Sequence, residues 1–500
     1  MDDIQNFIKK IPEPVLDTAQ ALKNAHYEAY LVGGCVRDLL LGRKPKDWDI
    51  TTNATPEQIV ALFPRTFYEN DYGTVGVVLE EENAEDQRKD IDETLRVIEI
   101  TPYRLESGYA DKRHPDQVIF THKITDDLNR RDFTINAIAL DPHQGHIVDI
   151  AKGHDDIKDR ILRTVGDSDA RFQEDALRIL RAIRFSTELN FEISPETEKS
   201  ILDNASLLEH ISRERVRDEF ARILMSDNPK RGLELAHKFH VLHFITPELE
   251  KAVGVEQGGV HAYDVWEHLL RSLQLTADKK WPLEIRLAAL FHDIGKPVTK
   301  REGEHKPTFY GHEVVGAKMT KKILTELKFP QKVIEKVVKL VRWHMFFSDT
   351  EEITHSAVRR LVANVGQENV WDLMNVRIAD RIGTGRPKEE PYRLRKYQSM
   401  IEEVMTDPVS VGMLKIDGKR IMEVTHETPG RKIGYVLHAL LEEVIEDPKL
   451  NTPEYLEGRA TLLVKLPVEE LQVLGDKGKQ IKEEEEEKQV EEIRKKYHVE

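Results

Sequence analysis

Segments that favour β-strands are confined to the first 150 residues of the chain, and this uneven distribution strongly constrains the fold. Short β-like runs separated by Gly, Pro and Asp turns lie at Glu28–Val32, Thr74–Leu79, Arg96–Ile100 and Val118–Phe120, with a helical pattern at Pro56–Phe63. From Asp155 onward the pattern becomes helical, and it predicts helices at Asp169–Leu189, Pro195–Leu208, Arg213–Met225 and Pro229–Phe239. We therefore expect an α/β region followed by an all-helical remainder.

The length and charge of the chain exclude several protein classes. At roughly 100–200 residues per domain, 500 residues correspond to about three or four domains. The net charge of −16 excludes a uniformly basic nucleic-acid binder but leaves room for a local basic face. A single cysteine, Cys35, excludes an intramolecular disulfide framework and a cysteine-rich zinc site.

The sequence also predicts no association with membranes. No apolar stretch approaches the ~20 residues that span a bilayer. The first residues, Met1–Ile4, carry neither a basic start nor an apolar run, so no secretory signal is expected. We expect a cytoplasmic protein.

A glycine pair, Gly33 and Gly34, lies where a predicted strand meets a predicted helix that carries Arg37. Two glycines let the backbone come close to a ligand, and the following helix N-terminus offers N–H groups that suit a triphosphate. A simple tight turn would explain the pair equally well, so the interpretation depends on the residues that follow.

Asp47 and Asp49 follow two residues apart, and in a strand both carboxylates would point to one face. Such a pair repels unless a cation lies between the carboxylates, and Mg²⁺ prefers these oxygens together with substrate phosphates. Two metal ions could then activate a 3′-hydroxyl and stabilise the leaving pyrophosphate. The alternative is a solvated Asp-x-Asp turn, which the neighbouring glycine pair disfavours.

Two later segments combine arginines with carboxylate or amide side chains. Arg130 and Arg131 suit phosphates, and Asp132 and Asn136 suit a ribose. In the predicted helix Asp169–Leu189, charged residues recur every third position and drift slowly around one side; they are Asp175, Arg178, Arg181 and Arg184. The alternative for this helix is a solvated basic stripe whose acidic N-terminal residues interact with the helix dipole.

In this order the motifs resemble class II tRNA nucleotidyltransferases, the family of CCA-adding enzymes and bacterial poly(A) polymerases. The matching residues, spread over residues 26–225, are Gly33-Gly34-x-x-Arg37-Asp38, Asp47-x-Asp49, Arg130-Arg131-Asp132-x-Thr134-x-Asn136 and Glu174-Asp175-x-x-Arg178-x-x-Arg181. One departure is Cys35, at a position where alanine is common.

The resemblance implies a role for each motif. Asp47 and Asp49 are expected to hold catalytic Mg²⁺, and Gly34, Arg37 and Arg131 to contact the nucleoside triphosphate. Asp175 and Arg178 are expected to read the Watson–Crick edge of the incoming base, with Arg181 and Arg184 nearby. A carboxylate accepts from an exocyclic amino group and a guanidinium donates to a ring acceptor, so selection of C and A is chemically reasonable.

Two features of the α/β region allow more than one interpretation from the sequence. Glu99, on a predicted neighbouring strand, either completes the metal shell or is structural. The segment Glu106–Pro115 aligns with the family's flexible loop, whose loss accompanies enzymes that stop after CC. Its presence favours CCA or A addition.

A second group of residues has the spacing of metal ligands. Imidazoles suit Mn, Fe, Co, Ni or Zn, and carboxylates can bridge two ions. The histidines and aspartates concerned lie in helical surroundings; they are His268, His292, Asp293, His312, His344 and Asp380. Over residues 258–385 this pattern resembles an HD-type phosphohydrolase domain, whose mononuclear core would be His268, His292, Asp293 and Asp380. His312 and His344 would be the extra ligands of a two-metal site. A degenerate domain that only supports RNA is the alternative.

Local basic groups could hold tRNA by shape and backbone. The candidates are Arg213, Arg215, Arg217, Arg222, the Lys230-Arg231 pair, Arg393, Arg395, Lys396, Lys415–Arg420 and Pro429–Gly434. The end of the chain, with five consecutive glutamates at Glu483–Glu487, is interpreted as a solvated extension.

These observations predict an α/β head with a palm-like mixed sheet, followed by an all-α neck, an HD body and a tail. The predicted divisions are an N-terminal segment 1–25, head 26–153, neck 154–257, HD domain 258–385, tail 386–475 and extension 476–500. The predicted reaction is CCA addition to tRNA from CTP and ATP. Alternatives are an A-adding enzyme, a poly(A) polymerase, or an HD hydrolase with an inert head.

Overall fold

The structure, a computed structural model, describes residues 7–69, 72–79, 93–108, 117–258, 262–303, 307–346 and 353–475. The charged extension 476–500 and most of the predicted flexible loop therefore lie outside the described residues. The chain divides into two compact units: Met1–Val253 with Ala277–Arg286 and Ile323–Pro330, and Gly254–Thr276 with Leu287–Lys322 and Gln331–Glu500.

The strands of the described residues lie in the first unit. Their bounds are β1 Tyr30–Val32, β2 Asp49–Thr52, β3 Thr66–Tyr68, β4 Val75–Val78, β5 Val97–Pro102, β6 Arg104–Ser107, β7 Gln117–Phe120, β8 Ile138–Leu140, β9 Ile147–Asp149, β10 Ile161–Leu162 and β11 Glu192–Ile193. β1 to β9 fall within the first 150 residues, as the sequence predicts, whereas the two-residue strands β10 and β11 lie beyond them.

The helices of the first half of the chain surround and follow this sheet. They are α1 Glu13–Asn24, α2 Gly34–Leu40, α3 Pro56–Leu62, α4 Ile124–Asn129, α5 Gly153–Asp159, α6 Ser168–Glu174, α7 Leu177–Leu189, α8 Pro195–Asn204, α9 Arg213–Met225, α10 Pro229–Lys238, α11 Leu242–Ile245 and α12 Pro247–Glu250.

The regular structure of the second half of the chain is helical in its described residues, apart from an isolated bridge between Arg301 and Thr308. Its helices are α13 Val265–Asp278, α14 Leu283–Phe291, α15 Lys296–Thr299, α16 His312–Glu326, α17 Gln331–Trp343, α18 His355–Val365, α19 Val370–Gly383, α20 Tyr392–Val404, α21 Gly418–Thr425, α22 Arg431–Glu446, α23 Pro453–Leu463 and α24 Val468–Gly475.

The head contains a mixed seven-stranded sheet in the order β3-β4-β5-β2-β1-β8-β9. β2 and β5 are parallel, and the remaining pairs are antiparallel. Central strands carry fully buried apolar residues such as Leu31, Ile50 and Ile100. The predicted fold class, an α/β head with a mixed sheet followed by a helical remainder, is confirmed.

One helix predicted from the sequence is divided into two in the structure. Instead of one helix over Asp169–Leu189, the structure has α6 and α7 with a break at Asp175 and Ala176. Asp175 is extended (φ −139°, ψ 102°), and its carboxylate accepts a hydrogen bond from the Leu177 N–H at 3.0 Å. Aspartate competes in this way for backbone N–H groups, so a cap replaces the middle of the helix.

A close backbone contact holds the segment that follows α4. A Cβ placed on Gly153, the first residue of α5, would lie 2.1 Å from the carbonyl oxygen of Thr134. The hydroxyl of Thr134 donates to Asp156 at 2.6 Å, so α5 contacts this segment at two points. Only glycine fits at residue 153 without a shift of the segment that contains Asp132 and Asn136.

Replacing Gly153 with alanine should therefore lower the free energy of unfolding by about 1–3 kcal/mol, the usual effect of overpacking. Denaturant unfolding of the variant and the wild type measures this. Gly458→Ala is the matched control, because nothing lies within 4 Å of its added Cβ. Equal unfolding midpoints for the two variants would contradict the close contact.

Candidate active site and candidate metal centre

The glycine pair forms a corner between β1 and α2 that touches both aspartates. Gly33 has φ +80°, a conformation that favours glycine. A Cβ on Gly33 would lie 3.3 Å from Arg131 Nη1 and 3.4 Å from Asp49 Oδ2, and a Cβ on Gly34 would lie 3.5 Å from Asp47 Oδ1. The structure thus brings the glycines, both aspartates and Arg131 to one place.

Parallel pairing of β2 with β5 adds a third carboxylate to this corner. Asp49 is the register partner of Glu99, so the two side chains leave the sheet on the same face. Burial, then the charges of Asp47 and Glu99, raise the pKa of Asp49 to about 7, against the lowering effect of Arg131. Burial and nearby carboxylates raise the pKa of Glu99 as well. Concentrated carboxylate oxygens of this kind fit a divalent cation.

A hydrogen-bonded row connects Arg37 to the later arginines. Arg37 Nη1 donates to Asn136 Oδ1 at 2.7 Å, and Asn136 Nδ2 donates to Asp132 Oδ1 at 3.1 Å. Arg181 donates through Nε and Nη2 to Asp132 Oδ2 at 2.9 and 2.6 Å. Burial alone would raise the pKa of Asp132, but Arg181 and Asn136 hold it well below its ordinary value.

The two residues expected to read the base are each held by a different partner. Arg215 of α9 donates to both carboxylate oxygens of Asp175, at 3.2 and 2.8 Å. Arg178 donates to Glu174 at 2.6 Å and to the carbonyl oxygen of Arg130 at 3.2 Å. Arg215 entered the sequence analysis only as a phosphate contact, because its distance of forty residues from Asp175 gives no local signal.

Arg184 lies beside two other predicted nucleotide contacts, because the guanidiniums of Arg37 and Arg181 lie against the same Phe185 ring. Arg184 is 3% exposed and forms an ion pair with the buried Glu219, at 3.1 Å. Its guanidinium also lies 4.3 Å from the ring centroid of Phe185. Burial lowers the pKa of Arg184 to about 10. A direct contact of Arg184 with nucleotide stays a prediction.

The sequence analysis did not single out Asp127, which lies at the centre of the arginine pair. Asp127 is fully buried, and its Oδ1 accepts from Arg130 and its Oδ2 from Arg131. A carboxylate three and four residues before two arginines is the local signal that could have identified it.

In the second unit, the predicted metal ligands come together from separate helices. His268 lies on α13, His292 and Asp293 directly follow α14, and His312 begins α16. His344 follows α17, and Asp380 lies on α19. They form two groups whose ligand atoms lie within 4.8 Å of one another; the groups are His268, His292 and Asp380, and Asp293, His312 and His344.

The imidazoles are oriented so that their Nε2 atoms face the centre of the cluster. Nδ1 of His292, of His312 and of His344 lies 2.7–2.8 Å from a backbone carbonyl oxygen. An Nδ1 that donates to a carbonyl leaves a lone pair on Nε2, the form in which histidine binds metals. Nε2 of His312 lies 3.2 Å from Asp293 Oδ1, so two acceptors face each other. This donor set fits a transition-metal cation.

The pKa values of two histidines in the cluster shift in opposite directions. Burial lowers the pKa of His292, but Asp293 and Asp380 outweigh it and raise the pKa to about 10, so a metal ion would have to displace the Nε2 proton of His292. Burial lowers the pKa of His344 to about 4. Lys296, which the sequence left between a phosphate contact and a helix cap, pairs with Asp293 at 2.5 Å and donates to Gln257 at 2.6 Å.

Asp49→Asn should change how stability depends on pH in the metal-free protein. The carboxyl pKa rises from 3.8 to about 7 on folding, so the folded state binds the additional proton between these values. The free energy of unfolding should therefore fall as the pH rises from about 4 to about 7. The neutral asparagine should remove that fall and stabilise the protein by about 1–3 kcal/mol at pH 8. Urea unfolding in chelator measures this.

Asp141→Asn is the control with the opposite sign. Burial would raise the pKa of Asp141, but its ion pair with Lys23 at 2.7 Å and backbone hydrogen bonds lower it. Its loss should therefore destabilise the protein at pH 8. A destabilised Asp49→Asn variant would contradict the assignment of excess negative charge to the corner.

Three family models match the chain in succession. The Poly A polymerase head domain matches residues 29–163, the probable RNA and SrmB-binding site of polymerase A matches 190–253, and the HD domain matches 265–384. None of the helices formed by the described residues combines the length and hydropathy of a bilayer-spanning segment.

Similar proteins of comparable length are named for the addition of CCA or of CC. A CCA-adding enzyme of Lactobacillus helveticus is 31% identical over 90% of this chain and 96% of the relative. A CCA-adding enzyme of Geobacillus stearothermophilus is 32% identical over 88% and 95%. A CC-adding tRNA nucleotidyltransferase of Thermus thermophilus is 34% identical over 87% and 93%.

Solved structures agree with these relatives. The Bacillus stearothermophilus CCA-adding enzyme in complex with CTP has a TM-score of 0.66 and 29% identity, covering 90% of this chain and 98% of that chain. A Thermotoga maritima CCA-adding enzyme complexed with tRNA shares the fold at a TM-score of 0.54 and 20% identity, over 92% and 98%. The chain therefore belongs to the family of CCA-adding tRNA nucleotidyltransferases, and it carries an HD domain after the nucleotidyltransferase head.

Proposed function

We propose that this protein adds C, C and A to the 3′ end of tRNA, using CTP and ATP and releasing pyrophosphate. The observation that carries the proposal is the convergence of Asp47, Asp49 and Arg131 on the Gly33–Gly34 corner. Membership in a family whose relatives are named for CCA addition supports it. The division into head 26–153, neck 154–257, HD domain 258–385 and tail 386–475 is part of this proposal.

Asp47 and Asp49 would hold Mg²⁺ in the head, with Glu99 beside them. Two such ions would supply positive charge that acidifies the tRNA 3′-hydroxyl and neutralises the leaving pyrophosphate. Arg37 and Arg131 would bind the triphosphate, and the lack of side chains at Gly33 and Gly34 would let the backbone approach it.

Base selection would rest on Asp175 and Arg178, and Asp132 and Asn136 would contact the ribose. The partners that hold these residues, such as Arg215 and Glu174, favour a preorganised template. A fixed carboxylate accepts from the amino group of C or A, whereas U and G present a carbonyl at the equivalent edge. Basic residues of α9 and of the tail would grip tRNA through its phosphates.

The length of the extended RNA distinguishes CCA addition from closely related activities. A CC-adding enzyme is among the relatives, and A-adding enzymes and poly(A) polymerases are the alternatives within this class. Three tRNA transcripts, ending at the discriminator base, at CC and at CCA, are therefore incubated with CTP, ATP or both. We expect the shortest transcript to gain three nucleotides and then stop.

Asp47→Ala should reduce this extension by at least about a thousandfold, or ~4 kcal/mol of transition-state stabilisation. Asp155→Ala is a suitable control, because Asp155 is an exposed residue of α5. Extension of only the CC transcript, or a long A ladder, would replace the proposal by an A-adding enzyme or a poly(A) polymerase. Undiminished extension by Asp47→Ala would refute the assigned mechanism.

A second activity is favoured by the completeness of the cluster in the second unit. Six side chains supply the ligand atoms of two adjoining groups, all of them buried. We propose a metal-dependent phosphohydrolase site that takes Mn, Fe, Co, Ni or Zn, which would supply Lewis acidity and a water nucleophile. The chain's own residues orient the imidazoles and, through Lys296 and Arg377, hold the two carboxylates.

Loss of a residue that only orients a metal ligand lowers metal affinity by about 10–100-fold. Because His292 is itself a proposed ligand, His292→Ala should lower metal affinity by more than that. Metal content per chain and hydrolysis of bis(p-nitrophenyl) phosphate are the measurements. tRNA extension should stay unchanged. His355→Ala is the control, since His355 is exposed and pairs with Glu403. A full metal complement in His292→Ala would contradict the site.

A further inference from the structure

Asp127, the last residue but two of α4, makes four polar contacts although its side chain is fully buried. Its Oδ1 accepts from Nε and Nη2 of Arg130, at 2.9 and 2.6 Å. Its Oδ2 accepts from Arg131 Nη2 at 2.9 Å and from Thr51 Oγ1 at 3.3 Å. One carboxylate therefore joins both arginines to β2, the strand that begins with Asp49.

Arg131 faces two directions at once. Its Nη2 is held by Asp127, whereas its Nη1 lies 3.3 Å from the position that a Cβ on Gly33 would occupy. The guanidinium is planar and its amino groups are fixed relative to each other. A carboxylate that fixes Nη2 therefore also fixes where Nη1 meets the corner.

The other arginine is part of an alternating row of charges. Glu106 of β6 accepts from Arg130 Nη1 at 3.0 Å and from Arg104 Nε at 2.7 Å. Arg104 in turn donates to the carbonyl oxygen of Tyr72 at 2.8 Å. Glu106 thus fixes Arg130, which in turn holds Oδ1 of Asp127 while Arg131 contacts Oδ2.

We propose that Asp127 is a positioning residue for nucleotide transfer: it fixes the Arg131 guanidinium at the Gly33–Gly34 corner, where the triphosphate of the incoming nucleotide binds. This inference rests on the proposed function, because it assigns Arg131 to the triphosphate. Asp127 touches neither substrate nor metal in this assignment and acts through Arg131.

Asparagine at residue 127 would place an amide beside two guanidinium groups and remove the carboxylate that pairs with Arg131, whereas Arg130 would keep its ion pair with Glu106. Arg131 would then be free to adopt other rotamers, and the cost would appear in binding of the β- and γ-phosphates. We expect Asp127→Asn to weaken CTP binding by at least about tenfold, and CMP binding by less than about threefold. Titration calorimetry with Mg²⁺ measures both ligands.

A double-variant cycle separates positioning from general loss of structure. If Asp127 acts through Arg131, the Asp127→Asn, Arg131→Ala double variant should bind CTP no more weakly than Arg131→Ala alone. Additive losses would overturn the proposal. Asp141→Asn is the matched control, because Asp141 is also a buried head carboxylate in an ion pair, with Lys23 at 2.7 Å. Equal CTP affinity of Asp127→Asn and Asp141→Asn would overturn it as well.

If Asp127→Asn fails to fold, Asp127→Glu decides, because it keeps the charge and displaces the carboxylate by one methylene. Selective weakening of CTP relative to CMP supports the proposal, and equal weakening of both refutes it. The proposed function fails separately: wild-type protein that binds CTP but extends no tRNA refutes CCA addition and leaves the role of Asp127 in triphosphate binding measurable.

Discussion

Buried and half-buried carboxylates that each hold an arginine determine the geometry of the head and of the helices that follow it. Asp127 holds Arg131, Asp132 holds Arg181 and Asp175 holds Arg215. A buried charge without a partner is far less favourable than a buried pair, so each of these arrangements leaves few alternatives for its arginine. Asp49 differs, because neighbouring carboxylates add to the unfavourable burial of its charge. The same chain thus builds firmly paired carboxylates and, at one corner, an excess of negative charge that attracts a cation.

The local sequence pattern predicted individual helices and strands well, but it did not predict how they are arranged in space. Apolar periodicity gave α9 with the bounds Arg213–Met225 that the structure shows, and it located β4 and β5 within a few residues. The order of strands in the sheet was beyond such reasoning, because β5 pairs with both β4 and β2 across distant parts of the chain. Register, and with it the approach of Glu99 to Asp49, is a tertiary property that spacing along the chain does not contain.

The site was predictable where residue type alone dictates chemistry. The six residues predicted as metal ligands in the second unit lie together, as their spacing suggested, since imidazoles and carboxylates buried among helices need polar partners. The interpretation of α6 and α7 as one helix failed because periodicity ignores side-chain capping by Asp175. Periodicity also treated Arg184 as part of an exposed stripe, whereas Glu219, which compensates its charge in the core, comes from another helix.

The short parallel pair β10 and β11 affects when part of the chain can fold during synthesis. β10 and β11 pair over two residues each, through Ile161 with Glu192 and Leu162 with Ile193. This pairing closes the intervening segment, with α6 and α7, into a loop whose two ends are fastened together. During synthesis the loop can close only after Ile193 has left the ribosome, whereas the strands of the large sheet end at Asp149. The order of synthesis therefore makes every strand of the large sheet available before the loop that carries Asp175 and Arg178 can be fastened.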